Sequence, residues 1–546
     1  MDNTNKNPIF SIKNFRSFGE DGADFELAPI TVLTGCNSAG KSSLVKALML
    51  LSEMPHTVDS IEPTLKLYKK EMVLGTFRNV INKDSQDKKI EISYKVWSNY
   101  LQQELCVKRF FSERKKDELN DAHQRNLEVF KTNGQMIFNQ SERELGKEVE
   151  WVKSIENEYN NFSLVNEYFC ILRDIFLVKD YITEDPEMLK HYEECLQKKA
   201  SIKASMEKSG VNPKEYLIPQ LNSWLALNKK NKENEEKYKR LMNKFKEEDV
   251  KETIESWFPE MNLPQQYLSR TTEEAVSPWF LQNSIYVDSA SAIIKRIYSI
   301  EDTSKMSVAL RNLYSRMQFQ SVHPEWFVDD RSWYWSGSFI NRWVKKFDLG
   351  DALCIRGDNE GGLKVYLKKG NDEHILADEG YGITQLASLL LTIDNSISNN
   401  SHEEIKSSWE EFESGDFKKG KDVHFPYKPR IICVEEPEVH LHPKYQSLLA
   451  DMFVEAYQKY NIHFIIETHS EYLIRKLQLM VADKDIALTS NDVSLNYVEK
   501  NEDGISHNRQ IKILEDGRLS EPFGPGFYDE ADTLAMELMK YKARKK

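Results

Sequence analysis

No stretch of the chain reaches the roughly 18 to 20 uninterrupted apolar residues that a membrane-spanning helix needs. The opening, MDNTNKNPIF, also lacks the basic lead and apolar run of a secretory signal. The expectation is a soluble, cytoplasmic chain without a membrane partner. Cysteine is scarce: six among 546 residues, at positions 36, 106, 170, 195, 354 and 433, with no CxxC pair. That spacing argues against a zinc clip and offers no disulfide framework, so reduced thiols are expected. Positive charge is outweighed, 74 Lys and Arg against 87 Asp and Glu, for a net charge of −13. A field of that sign opposes nucleic-acid binding driven by overall charge. The local exception is the last seven residues, KYKARKK, with five positive charges.

What is present begins with alternation of strand and helix patterns. PIFSIKNFRSF and APITVLTG are short strand-like runs, and SSLVKALMLLSEM then places Leu44, Leu48 and Leu51 on one helical face. KKIEISYKVWS, from Lys88, alternates again. Between about Leu105 and Trp279 the texture shifts to dense, nearly balanced charge, with 25 basic and 30 acidic residues over 111–260 and little Gly or Pro. Tyr238, Leu241, Met242 and Phe245 fall at i, i+3, i+4 and i+7, so the segment is expected to be a helical insertion, with a helical hairpin as one form it would take. Strand texture returns at NSIYVDS, LKVYLKKG and EHILADEG, while 396–429, rich in Ser and Lys, resembles a surface excursion. The expected organisation is an α/β head in two parts, 1–103 and 281–530, split by a helical insertion at 104–280 and followed by a basic tail at 531–546.

Three motifs carry chemistry. Gly35 to Ser42, GCNSAGKS, fits GxxxxGK[ST] with an apolar strand before it and a helical pattern after it. In such a turn the backbone amides of Gly35, Asn37, Ser38, Ala39, Gly40 and Ser43 cradle phosphates, Lys41 reaches the β- and γ-phosphates, and the Ser42 hydroxyl binds Mg²⁺. ATP and Mg²⁺ are the expected cofactors. RIICVEEPEVHLHP ends an apolar strand in two carboxylates, where ligands gather in open α/β sheets. Glu435 is placed to hold the Mg²⁺ shell, through water because Glu is one methylene longer than the usual Asp. Glu436 is placed to orient or deprotonate the attacking water. The third motif, HFIIETHSEYL, presents His469 to donate to the γ-phosphate or fix the water. His440 and His442 raise a separate metal site, but their spacing matches no HExxH pattern.

The order of these motifs, with the NFRSF strand before them and LADEGYGITQLASLLL between them, resembles the ABC-type ATPases of the SMC, RecF and OLD group. More closely it resembles the prokaryotic AAA-like ATPases of anti-phage defence, including the PtuA subunits of Septu and retron-linked systems. The likeness covers residues 9–90 and 284–530 and implies an α/β fold, an ABC-type P-loop ATPase head. It further implies that Gly380, Gly382, Thr384 and Gln385 form a signature segment acting in trans on the nucleotide of a second copy, so that ATP binding closes a homodimer or higher even oligomer. The usual signature serine is missing, which implies slow hydrolysis. The family's Q-loop residue has three candidates, Gln86, Asn79 and Asn82.

Only 32 residues (546 − 514) follow Leu514, too few for a Toprim nuclease. The resemblance therefore implies a separate HNH nuclease, PtuB-like, as partner. In a retron-linked relative a reverse transcriptase with its RNA–DNA hybrid would be held as well. Two other expectations stand beside this one: a DNA-repair or DNA-clamping ATPase of the RecF or SMC kind, and an ATP-bound sensor that does not hydrolyse.

Overall fold

A computed structural model describes residues 7–54, most of 64–141, part of 196–208, and 275–544 apart from 289–293, 323–337, 359–361, 414–428 and a few single positions. The chain divides into two compact units, one of residues 1–10, 54–80 and 87–278, the other of 11–53, 81–86 and 279–546.

The second unit is the α/β head, and its centre is a six-stranded sheet. Strands β1 (Ile9–Lys13) and β2 (Ala23–Glu26) lead into β3 (Ile30–Gly35), the phosphate-type turn and helix α1 (Lys41–Ser52). The sheet runs in the order β11 (Ile285–Val287), β16 (Arg430–Glu435), β17 (Ile462–Glu467), β3, β18 (Val493–Lys500) and β19 (Ser506–Ile511). Its first five strands are parallel and the last is antiparallel. Parallel strands covered on both faces read as continuous apolar runs. Ile431–Val434 and Phe464–Ile466 do so, and all are buried. Residues of α4 (Ser338–Lys346), α5 (Tyr381–Glu413), α6 (Pro443–Tyr460) and α7 (Glu471–Ala482) pack with these strands in one core. There Trp343, Phe453 and Phe464 are fully buried. A smaller antiparallel sheet joins β12 (Tyr298–Ser299), β13 (Ala352–Gly357), β14 (Gly362–Lys369) and β15 (Asp372–Ile375), beside α3 (Lys305–Val322). The chain closes on α8 (Glu530–Arg544), so most of the expected basic tail is helix.

The other unit corrects an expectation. Its short elements are β4 (Thr64–Leu65), β5 (Tyr68–Lys69), β6 (Met72–Val73) and α2 (Phe77–Val80). The rest is an antiparallel meander of β7 (Ile90–Ser98), β8 (Gln103–Glu113), β9 (Ala122–Lys131) and β10 (Met136–Ser141). The insertion expected to be helical from residue 104 therefore opens with strands, at Gln103–Glu113, Ala122–Lys131 and Met136–Ser141. The reason is local: Leu105, Val107, Arg109 and Phe111 are buried in alternation with more exposed neighbours, the period of two that a strand produces. Arg109 is admitted to that row because its guanidinium donates to the Tyr94 hydroxyl and to Gln124 Oε1. The stripe from Tyr238 to Phe245 lies outside the described residues. A second correction concerns 396–413: α5 continues through it as helix, so the Ser- and Lys-rich surface excursion expected over 396–429 cannot begin before 414.

Candidate functional site: a phosphate loop facing two strand-end carboxylates

The turn from β3 into α1 requires its glycines. Gly35 has φ 128°, and a Cβ there would stand 2.0 Å from the Val498 carbonyl oxygen. Gly40 has φ 105° and packs against Ser17 and Phe18. Both conformations lie in the left-handed region that L side chains avoid. α1 starts without a side-chain cap and without an acidic residue in its first turn, so its amides and dipole remain for an anion. Asn37 and Ser38 are exposed on the loop, and Ala39 and Ser43 are buried beneath it. Lys41 is buried, and its ammonium donates to the carbonyl oxygens of Gly35 (3.2 Å) and Cys36 (3.0 Å). Burial pulls its pKa down, opposed by the negative charges of Glu467, Glu436 and Glu438 in that order. Three carboxylates thus act electrostatically on the loop lysine.

The strand ends explain why. In the parallel register Glu435 stands opposite Glu467, and Glu467 opposite Leu33 of β3. Side chains in register on neighbouring strands share a face of the sheet. Ser42 Oγ donates to Glu467 Oε1 at 3.0 Å. Glu467 Oε2 and Glu435 Oε1 are buried without a hydrogen-bond partner among the described residues. Burial raises the pKa of both carboxyls. Glu436 follows in a left-handed conformation (φ 46°), its amide donating to the Glu467 carbonyl at 2.7 Å. A non-glycine residue held there is strained, and such strain persists where the surroundings over-determine it. Glu438 is buried, its Oε1 accepting from the His469 amide at 2.7 Å. The His469 side chain is on the surface. Partial desolvation and the Lys41 ammonium hold its pKa below the ordinary value.

Among the described residues no three of His, Cys, Asp and Glu are arranged to hold a metal by themselves. His440 packs edge-on against Tyr381 at 4.9 Å, and His442 Nδ1 accepts from the Lys444 amide at 3.3 Å to cap α6. Magnesium is usually held by one or two carboxylates together with substrate phosphates, so Ser42 and two carboxylates with orphaned oxygens fit it once a nucleotide is present.

The signature segment differs from expectation. Gly380 is exposed, but Thr384 and Gln385 are buried inside their own chain. Thr384 Oγ1 donates to the Tyr381 carbonyl at 2.8 Å as part of the first turn of α5, and Gln385 Nε2 donates to the Glu436 carbonyl at 3.0 Å. Gly382 lies so close to the His440 carbonyl that a Cβ would come within 2.7 Å of it. The Gln385 side chain therefore faces the chain's own acidic loop and Thr384 is bonded within its own helix, which leaves the backbone at Gly380 to Gly382 for any second copy. Of the Q-loop candidates, Asn82 is buried and donates to the Arg16 carbonyl at 2.9 Å, beside the Ser17 that meets Gly40. Gln86 is exposed, and Asn79 accepts from Thr76. Glu467 was not assigned from the sequence. Its signal was a carboxylate ending an apolar strand, as at Glu435.

The family model of the AAA ATPase domain matches residues 9–474. The chain belongs to that family. A second model, a protein of unknown function (DUF3696), matches residues 488–538. No curated protein matches the chain. Similar solved structures include an Smc head bound to the C-winged helix domain of ScpA, with 11% identity, TM-score 0.41, and 92% of this chain and 98% of that one covered. Another is the Smc head with an extended coiled coil bound to the C-terminal domain of ScpA, from Pyrococcus furiosus, with 12% identity, TM-score 0.33, and 97% and 100% covered. A third is the SMC head domain from Thermotoga maritima, with 11% identity, TM-score 0.33, and 92% and 98% covered. The chain is an α/β P-loop ATPase head. None of its described helices is long and apolar enough to cross a membrane.

Proposed function

We propose that the chain binds MgATP at residues 35–43 and hydrolyses it slowly, and that a second copy completes the site through the backbone of Gly380 to Gly382. The observation that carries this reading is the loop lysine set among Glu467, Glu436 and Glu438, with Ser42 bonded to the first of them. Lys41 would exchange its two loop carbonyls for phosphate oxygens, a stronger charge-assisted pairing. Bound Mg²⁺ supplies charge neutralisation at the phosphates. Glu436, held by its amide on β17 and by Gln385 at its carbonyl, is positioned to take the proton of the attacking water. His469, kept in its neutral form by desolvation and Lys41, serves as a hydrogen-bonding partner near the terminal phosphate.

Because each chain offers a loop and an exposed Gly380 on separate elements, nucleotide pairing of two heads makes the molecule a switch. Its output, on the likeness of the motif order to anti-phage ATPases, is control of a separate HNH-type nuclease, with a reverse transcriptase and its RNA–DNA hybrid in a retron-linked setting. Purification of the full chain from its native host tests this reading. Co-elution of a nuclease that ATP retains or releases supports it, whereas DNA-stimulated hydrolysis by the chain alone, with no nuclease recovered, favours a DNA clamp.

A further inference from the structure

We propose that the cation accompanying the nucleotide is seated by two carboxylates on adjacent strand ends, with Glu467 in the inner position against Ser42 and Glu435 steadied by the Tyr286 hydroxyl. The inference deepens the nucleotide reading above and rests on it. No motif assigns either Glu467 or Tyr286 a role.

Four observations converge. First, Ser42 is the residue through which this loop type meets its cation, and its hydroxyl is bonded to Glu467 rather than to Glu435. Second, Glu467 is 6% exposed and its Oε2 has no partner among the described residues. Lys41 does not answer it by hydrogen bond, since its ammonium donates to Gly35 and Cys36. A buried carboxylate oxygen without a partner is costly, and a second carboxylate opposite in register adds repulsion. A divalent cation between the two strand ends relieves both costs.

Third, Glu435 is held from the other side. Tyr286 on the edge strand β11 stands opposite Cys433, and Glu435 lies two residues beyond Cys433, so the two side chains share a face of the sheet. The Tyr286 phenol and the Glu435 carboxylate interact electrostatically across this face, and Glu435 Oε1 is buried without a partner among the described residues. Fourth, Lys46 of α1, one turn beyond Ser42 on the same helix face, acts electrostatically on Glu435. Ser42 and Glu467 thus form the inner half of the seat, and Glu435 with Tyr286 and Lys46 the outer half. Tyr286 is a positioning residue, because it acts only through Glu435.

The experiment uses the full-length chain and the variants Glu467→Gln, Glu435→Gln and Tyr286→Phe, with a fluorescent ADP as nucleotide and Mn²⁺ as a spin-active probe of the cation. The metal-free nucleotide affinity of each variant is measured first, and the metal titration is then run with each variant saturated in nucleotide. With nucleotide present, the Mn²⁺ concentration that half-saturates the resonance signal should rise about tenfold in Tyr286→Phe and at least that much in Glu467→Gln and Glu435→Gln. A merely structural hydroxyl would leave that midpoint unmoved. Equal midpoints for Glu467→Gln and the parental chain overturn the seat. A shift in the two glutamate variants but not in Tyr286→Phe overturns the role of Tyr286. Failure of the parental chain to bind nucleotide overturns the nucleotide reading itself, and the seat with it. Should Glu467→Gln not fold, Ser42→Ala removes the hydroxyl from the same seat and carries the test.

Discussion

The Ser42 hydroxyl and Glu467 Oε1 meet at 3.0 Å although 425 positions separate them in the sequence. One belongs to the first turn of α1 and the other to the last residue of β17, so the contact joins the nucleotide loop to the strand that precedes the ETHS turn. The bond thereby ties the first turn of α1 to the acidic residues at the carboxyl end of the sheet.

Lys41→Ala removes the buried loop ammonium, which donates to the carbonyls of Gly35 and Cys36. Charge-assisted hydrogen bonds contribute about 1.5–3 kcal/mol each, so ATP affinity should fall by roughly two orders of magnitude or more. Titration calorimetry on the full chain checks this.

Glu436→Gln keeps the size and backbone of the residue but removes the base. Hydrolysis should fall by about 10²–10⁴ while ATP affinity stays near the parental value. Phosphate release and nucleotide binding, measured side by side, separate the two effects. Hydrolysis at the parental rate would show that another group takes the proton.

The two signature glycines should behave differently. A Cβ at Gly382 meets the His440 carbonyl at 2.7 Å, whereas at Gly380 nothing lies within 4 Å. Gly382→Ala should destabilise the head by about 1–3 kcal/mol through overpacking. Gly380→Ala should leave the denaturation midpoint unchanged and weaken only ATP-dependent pairing, since the added methyl faces outward. Chemical denaturation and sizing of both variants check the contrast.

His463 gives the head an acid sensitivity. It sits between the rings of Trp279 (4.8 Å) and Tyr457 (5.6 Å), and its Nε2 meets Asn461 Oδ1 at 3.1 Å. Burial pulls its pKa down to about 4, with the Asp492 carboxylate opposing. Above pH 6.5 the ring is neutral in folded and unfolded chains alike and contributes nothing. As pH falls below 6.5 the unfolded chain takes up the proton first, so stability is lost progressively until the folded ring titrates near 4. The loss should total about 3 kcal/mol. Denaturant midpoints at pH 7.5 and 4.5 for the parental chain and His463→Gln isolate this share, which the variant should lack.

How far the sequence revealed all this depends on whether the cause was local. The phosphate loop was legible because its glycines, its apolar strand and its helix follow one another without a break. β16 and β17 were legible as uninterrupted apolar runs. The meander from Gln103 to Ser141 was not, because its alternation covers about ten residues per strand and disappears in a charge count over a long window. The helix through 396–413 was missed for another reason: its many Ser, Asn and Glu residues suit a loop as readily as a helix and outweigh the sparse apolar spacing of Ile405, Trp409 and Phe412. Glu467 was seen as the end of a strand, but its partner Ser42 is fixed only when β17 is placed beside β3. The burial of Thr384 and Gln385 is equally non-local, since it depends on the Glu436 to His440 loop lying beneath them.

The central claim is that a triphosphate in the Lys41 loop brings a second head onto the first. It is tested most directly by the light-scattering mass of full-length Glu436→Gln, measured with ATP and Mg²⁺ and again with ADP and Mg²⁺. The account predicts a mass with ATP twice that with ADP, in units of the 63.8 kDa chain, and loss of the increase in Glu436→Gln carrying Lys41→Ala. The same mass with either nucleotide, in a protein shown to have bound both, would contradict it.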